Sequence, residues 1–435
     1  MRQDSNSKQF IIRLFVGLGV IIALPAIAEE DGMTQQIAAV AQEIEPDLIE
    51  ARRWFHQHPE LSNREEKTGR EIARRLEEMG YEVETGVAHT GVVAVLEGAH
   101  AGPVVAWRSD IDALPIDEEV DVPYRSTNPG VMHACGHDVH TTVGLGAAAV
   151  LMRLKDELHG TVKFIFQPAE EGAPVGEDGG ATMMIAEGVL EKPQPEAIFG
   201  LHVMPIAEAG FVGLRPGGLM AAGDRFTLKI HGQMTHGSAP HSGVDAVYVA
   251  AQVVNALQAI PSREVDARNS LVVSVGTFNA GNRWNIIADE AVLTGTVRSL
   301  DTTTWEEIPG RFERVVAGIC EANRATYELD YARIAPVVDN HQQLAGFATS
   351  SLTRSLGSDK VLEVPPIMAA EDFAFFQQQV PGVYFFLGVA NAAEGWTDYV
   401  HTPTFRPDEA AIVTGVTAAA SLLADFTASD PLSNG

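Results

Sequence analysis

Three histidines and one cysteine fall within eight positions, His133-Ala-Cys135-Gly-His137-Asp138-Val-His140. Thiolate sulfur and imidazole nitrogen are preferred ligands of borderline divalent ions such as zinc. A Cys-x-His pair directly before a helix can set both ligand atoms on one tight loop. A second cluster, Gln167-Pro-Ala-Glu170-Glu171-Gly172, follows an apolar run ending at Phe166. Adjacent carboxylates at a strand's carboxyl end lie where open α/β sheets build their sites. Because consecutive side chains point different ways, one can ligate metal while the other faces a bound water. Single histidines recur at strand ends in Gly200-Leu-His202-Val and Val400-His401-Thr-Pro-Thr-Phe405.

Cys135, His137, Glu171, His202 and His401 together make five protein ligands. One catalytic zinc usually takes three plus a water. Five suit two ions about 3.5–4 Å apart that share a ligand. In Asp110-Ile-Asp112, the carboxylate of Asp112 can accept the second N–H of a ligand histidine and so fix its tautomer. Farther on, Thr235-His236-Gly-Ser-Ala-Pro240-His241 carries His236 in a glycine-rich loop, from which it can donate to a developing oxyanion.

These residues need a scaffold, and the hydrophobic pattern supplies one. Helical patterns cover residues 37–55, 65–79 and 141–154, and strand-like runs cover 91–96, 104–107, 161–166 and 197–201. Such alternation predicts an α/β fold with a central, mostly parallel sheet flanked by helices. Between about 219 and 333 the order changes to strand 226–230, helix 245–259, strands 271–278 and 291–297, helix 303–320 and strand 326–331. That β-α-β-β-α-β order is the ferredoxin-like α+β unit. The expected organisation is a first catalytic part over 29–218, an inserted unit over 219–333 and a returning catalytic part over 334–435. A cleft between two units is a natural place for a site.

The first 28 residues read as an export signal. Arg2, Lys8 and Arg13 precede an apolar run from 14 to 26, and Ala26-Ile27-Ala28 offers a small-x-small cleavage site. The run is shorter than the roughly 20 residues of a membrane-spanning helix, and no later segment is expected to span. An exported or periplasmic protein with no stable membrane insertion is therefore expected. Only two cysteines occur: Cys320 reads as a core residue, and a metal would keep Cys135 reduced in an oxidising compartment. With 58 acidic against 30 basic residues, the net charge of -28 repels phosphate backbones, so nucleic acid is not an expected partner.

The motifs HACGHDVHT, QPAEEG, GLHV and HTPTF resemble the amidohydrolase branch of the dinuclear zinc peptidases. That branch includes hippurate, N-acyl-amino-acid and indoleacetyl-amino-acid hydrolases, and is related to aminoacylase and carboxypeptidase G. Further matches are Arg52-Arg53-Trp-Phe-His56-Gln-His-Pro59-Glu60-Leu61, Ser109-Asp-Ile-Asp112-Ala-Leu-Pro115 and Ala370-Glu371-Asp372-Phe373, so the resemblance runs from about 37 to 425. It implies metal ligation by Cys135, His137, Glu171, His202 and His401, with Glu170 as general base and Asp112 orienting a ligand. It also implies that His236 reaches across a homodimer interface in the inserted unit, and that Asn285 touches the substrate.

The activity this implies is hydrolysis of the amide bond of an N-acyl amino acid or similar small conjugate. Two divalent ions, zinc first with manganese or cobalt as alternatives, would lower the pKa of a bridging water toward neutrality. A dipeptidase or aminopeptidase needs a group that recognises a free α-amine, and the sequence offers none. A cysteine nucleophile at Cys135 leaves Glu171, His202 and His401 without a task. A binding or metal-buffering protein has no need of a base at Glu170.

Overall fold

The computed structural model describes residues 27–429 and 431–432. Its main sheet has eight strands in the order Glu82–Val87, Gly91–Glu97, His159–Gln167, His100–Asp110, Ala197–Glu208, Gly382–Ala390, Val212–Leu214 and Val361–Glu363. The four central strands run parallel, and antiparallel pairings flank them on both sides. The last six residues of His100–Asp110 and of His159–Gln167, and all of Gly382–Ala390, are buried. Burial on both faces is what a parallel sheet covered by helices requires.

One face packs against Ile27–Glu43, Glu45–Gln57, His137–Arg153, Gln342–Leu356 and Ala411–Ser429, and the other against Gly180–Ala186 and Phe373–Gln377. Contrary to the expectation from sequence, Ala411–Ser429 is long and apolar enough to cross a membrane, but most of it is buried in this core. It lies against His137–Arg153, whose small residues permit close approach. A Cβ at Gly146 would sit 2.4 Å from Val416 Cγ2.

Two helix boundaries differ from the pattern-based ones. Residues 37–55 are not one helix: the chain breaks at Ile44, and a new helix starts with Pro46 in its first turn. Proline lacks the N–H that a continuing helix needs, and suits a helix start. The helix expected from 141 begins at His137, with Asp138 in its first turn, where a carboxylate favours the positive helix end. The apolar run of the expected leader lies outside the described residues; its last two residues, Ile27 and Ala28, open the first helix.

The inserted segment makes a separate antiparallel sheet in the order Leu271–Ala280, Glu290–Ser299, Ala222–His231, Thr326–Ala335. Helices Ala246–Leu257 and Thr302–Ala322 cover one face around Phe226, Leu228, Phe312 and Cys320. The chain enters and leaves through a short ribbon, Gly217–Met220 against Val338–Asn340. Cys135 and Cys320 are both free and buried.

Candidate metal centre

Strands His159–Gln167, His100–Asp110 and Ala197–Glu208 are adjacent and parallel, so their carboxyl ends open at one edge of the sheet. Asp110 pairs with Gln167 and Arg108 with Gly200, which brings Asp112, Glu170, Glu171 and His202 to one level. Cys135 comes in from the turn before helix His137–Arg153. Gly136 closes that turn at φ 86°, where a Cβ would lie 2.4 Å from Val203 Cγ2, so only glycine fits. Cys135 Sγ then lies 3.3 Å from His202 Nε2 and 3.2 Å from His401 Nε2. The His401 N–H donates to Ala134 O at 2.8 Å, which ties the late loop to the cysteine turn.

Among the described residues five groups of ligand-capable atoms lie within 4.8 Å of one another, and two of them share the cysteine: Cys135 with His137 and His202, and Cys135 with Glu171 and His401. Cys135 belongs to both. The tautomers are set from outside. His202 Nδ1 donates to Val203 O at 2.6 Å, and His137 Nδ1 to Asp112 Oδ1 at 3.1 Å, so each leaves Nε2 as a lone pair facing the cluster. Asp112 Oδ2 in turn accepts from Ser62 Oγ at 2.7 Å and from the Glu171 N–H at 3.0 Å. His137 Nε2 and Glu171 Oε1 are buried without a hydrogen-bond partner. His401 Nε2 lies 3.0 Å from Glu171 Oε1, but the two are not aligned as a hydrogen bond. Buried polar atoms without partners are costly, and a cation in each triad would satisfy them.

The electrostatics point the same way. Burial opposes charge on His137, yet the carboxylates of Asp110, Asp112 and Glu171 outweigh it and raise its pKa to about 10. Burial, with Glu171 and Glu170 nearby, pushes the Cys135 thiol well above its ordinary range. Both shifts reflect a pocket crowded with carboxylates, an environment that favours positive charge at its centre. Glu170, whose Oε2 lies 3.8 Å from His137 Nε2, is also pushed far up, first by burial and then by Glu371, Glu171 and Asp372. A cation beside Glu170 would favour its carboxylate form.

The other histidines of the first cluster do different work. His140 spends both nitrogens, Nδ1 on Asp110 Oδ1 at 2.5 Å and Nε2 on the Val203 N–H at 2.8 Å, so a group with Asp110 and His137 is structural. His133 is buried with neither nitrogen paired. Beneath the turn, Asp138 pairs with Arg52 at 2.9 Å and with His56 at 2.7 Å, and His56 Nε2 lies 3.1 Å from Glu118. Behind Glu170, Arg108 pairs with Asp110, Glu371 and Asp372, and Tyr384 donates to Glu371 at 2.8 Å. Arg52, His56, Glu371 and Asp372 lie inside motifs that the sequence singled out without giving them roles. Ser62 and Glu65 were not singled out at all, and only their burial beside the site marks them.

His236 and Asn285 lie elsewhere. They flank a two-stranded ribbon of the inserted unit in which His236 pairs with Ile286. His236 is exposed, with Nδ1 accepting from the Ser238 N–H at 3.1 Å, and Asn285 Oδ1 is buried and unpaired. Among the described residues, no hydrogen bond or ion pair joins either one to the metal cluster. The surface groove around Lys163, of about 470 Å³, also shares no residue with it.

Residues 106–425 match Peptidase family M20/M25/M40, and the chain belongs to this family. It is 39% identical over 370 residues to the N-acetyl-L-cysteine deacetylase of Bacillus subtilis (strain 168), covering 85% of this chain and 86% of that one. It is 38% identical over 379 residues to IAA-amino acid hydrolase ILR1-like 5 of Arabidopsis thaliana, covering 86% and 85%. Among solved structures, the Bacillus subtilis YXEP protein, described as a dinuclear metal binding peptidase, superposes with a TM-score of 0.77 at 35% identity, covering 89% of this chain and 99% of that one. The chain is a metal-dependent hydrolase of amide bonds that uses two divalent ions.

Proposed function

We propose that the protein hydrolyses N-acyl amino acids, releasing the free amino acid and the acyl acid. The observation that carries this is the pair of ligand triads sharing Cys135 with a partly buried carboxyl, Glu170, beside them. The relatives named for deacetylation of N-acetylcysteine and for hydrolysis of IAA-amino acids support the substrate class. A thiolate and three imidazoles favour zinc over harder ions, with manganese and cobalt next.

When bound, the two ions would lower the pKa of a water between them and polarise the scissile carbonyl. Cys135, His137 and His202 would hold one ion, and Cys135, Glu171 and His401 the other. Glu170 takes the proton from the water and returns it to the leaving nitrogen, which a carboxyl can do only if it changes protonation within the cycle. Asp112 keeps His137 in the tautomer that ligates. His236 donates to the oxyanion from the inserted unit of a second copy, and Asn285, also in the inserted unit, contacts the substrate. Support for that dimer lies at the free edge of the inserted sheet, where strand Leu271–Ala280 leaves Val272 and Phe278 exposed, and in Trp284, which is 92% exposed beside Asn285. The enzyme acts outside the cytoplasm after removal of residues 1–28.

The test is a panel of hippurate, N-acetyl and indoleacetyl amino acids assayed on the purified protein, with metal counted before and after chelation. Amino acid release that is lost on chelation and restored by zinc supports the reading. Two bound ions without cleavage of any conjugate would overturn the substrate class.

A further inference from the structure

The peptide that directly precedes the two catalytic-loop carboxylates is in an unfavourable conformation. Ala169 has φ 53°, in the left-handed region where a residue with a Cβ is disfavoured. Its side chain is buried, and it directly precedes Glu170. Such a conformation persists only where its surroundings hold it. The holding contact is specific: the Ala169 N–H donates to Glu65 Oε1 at 2.9 Å. Glu65 is fully buried, and its other oxygen accepts from Thr90 Oγ1 at 2.7 Å.

Glu65 makes no ion pair among the described residues. Burial, with Asp112 nearby, pushes its pKa up to about 7, so the fold gains little from a charge there. What remains is its geometry as a hydrogen-bond acceptor. The loop over 61–65 that carries it also sends Ser62 Oγ to Asp112 Oδ2 at 2.7 Å and Asn63 Nδ2 to Asp178 O at 2.9 Å. One short loop thereby braces both arms of the site, the Asp112–His137 arm and the Glu170–Glu171 loop.

We propose that Glu65 is a positioning residue for amide hydrolysis. Its carboxyl oxygen holds the Ala169 peptide in the left-handed turn that aims Glu170 at the reacting centre, while Glu171 keeps its own anchor, its N–H donating to Asp112 Oδ2 at 3.0 Å. The proposal rests on Glu170 being the general base. It places the influence of Glu65 on turnover, because among the described residues Glu65 makes no hydrogen bond or ion pair to a candidate ligand side chain.

The experiment compares kcat, KM and metal content of E65Q, E65M, A169G and E65M/A169G, with E170Q alongside, on an N-acyl amino acid that the wild type cleaves. Glutamine keeps an acceptor oxygen and can donate to Thr90, so E65Q keeps kcat near the wild-type value. Methionine fills the space without an acceptor, so E65M loses about a hundredfold in kcat, the scale of an ångström of misplacement, with KM and two ions per chain unchanged. Glycine is at ease at positive φ, so E65M/A169G recovers most of the loss, read against A169G as its baseline. If E65M does not fold, E65D keeps the carboxylate one methylene short of Ala169 and shows the same loss in kcat. Wild-type kcat in E65M or in E65D, loss of metal in step with activity, or no recovery in E65M/A169G overturns the proposal. An active E170Q instead overturns the base assignment beneath it, whereas an inactive E170Q beside a fully active E65M overturns only the role of Glu65.

Discussion

Asp112 lies between the two arms of the metal site, and its removal has a calculable consequence. One oxygen accepts from His137 Nδ1 at 3.1 Å, and the other from Ser62 Oγ at 2.7 Å and the Glu171 N–H at 3.0 Å. Asp112→Ala leaves the ring of one ligand and the backbone of another without their anchor. Loss of a partner that orients a ligand typically weakens metal affinity by about 10–100-fold, or about 1.4–2.7 kcal/mol. Since Asp112 serves a ligand in each triad, the upper end is expected for both ions. Asp112→Asn is harmful in a different way: if its NH2 faces His137, the imidazole proton moves to Nε2 and blocks ligation. Ser62→Ala removes one of three donors and loses about 0.5–1.5 kcal/mol. The assay is competition with a chromophoric chelator on metal-stripped protein, read for each ion. Wild-type affinity in Asp112→Ala, or a larger loss in Ser62→Ala than in Asp112→Ala, would refute this reasoning.

Cys135→Ala takes the shared ligand from both triads, so metal analysis should find both ions depleted; two retained ions would show that the sulfur does not bridge. Arg52→Met strands the buried Asp138 carboxylate, and denaturant unfolding should show a loss of about 3–5 kcal/mol, against no loss if the pair is inconsequential. Burial lowers the Lys163 pKa to about 8. The unfolded chain therefore binds more protons between about pH 8 and 10.4, and wild-type stability should rise relative to Lys163→Met across that window. A gap independent of pH contradicts this. If His236 serves the neighbouring copy, mixing inactive H236A with inactive E170Q should restore activity on subunit exchange, because one site per mixed dimer is then intact. No recovery despite exchange would place His236 in its own chain's site or outside catalysis.

The candidate site was legible where grouping depends on residue type and short spacing. Cys135 and His137 share one turn, Glu170 and Glu171 one loop, and His202 and His401 each sit in a recognisable string. The β-α-β-β-α-β order over the inserted unit was legible too, because its strands and helices carry clear periods. Strand Glu82–Val87 was not read, because only its last residue is buried and no alternation marks it. Strand direction leaves no trace in a short apolar run, so the antiparallel flanks of the main sheet were invisible. The break at Ile44 was hidden by continuous apolar spacing across it. The roles of Ser62, Glu65 and Arg108 depend on partners far along the chain, and no local pattern announces a buried carboxylate that accepts from a distant backbone N–H. Nor could spacing separate His137 from His140, since only the contact of His140 with Asp110 and Val203 removes it from the ligand set.

The central claim is that two ions are held by the Cys135-centred triads and that Glu170 moves the proton. It is tested most directly by measuring metal content and turnover together in Glu170→Gln. Two ions per chain with turnover reduced by about 10²–10⁴-fold is the expected result. Undiminished turnover, or loss of the ions along with it, would contradict the separation of ligand from base on which the account stands.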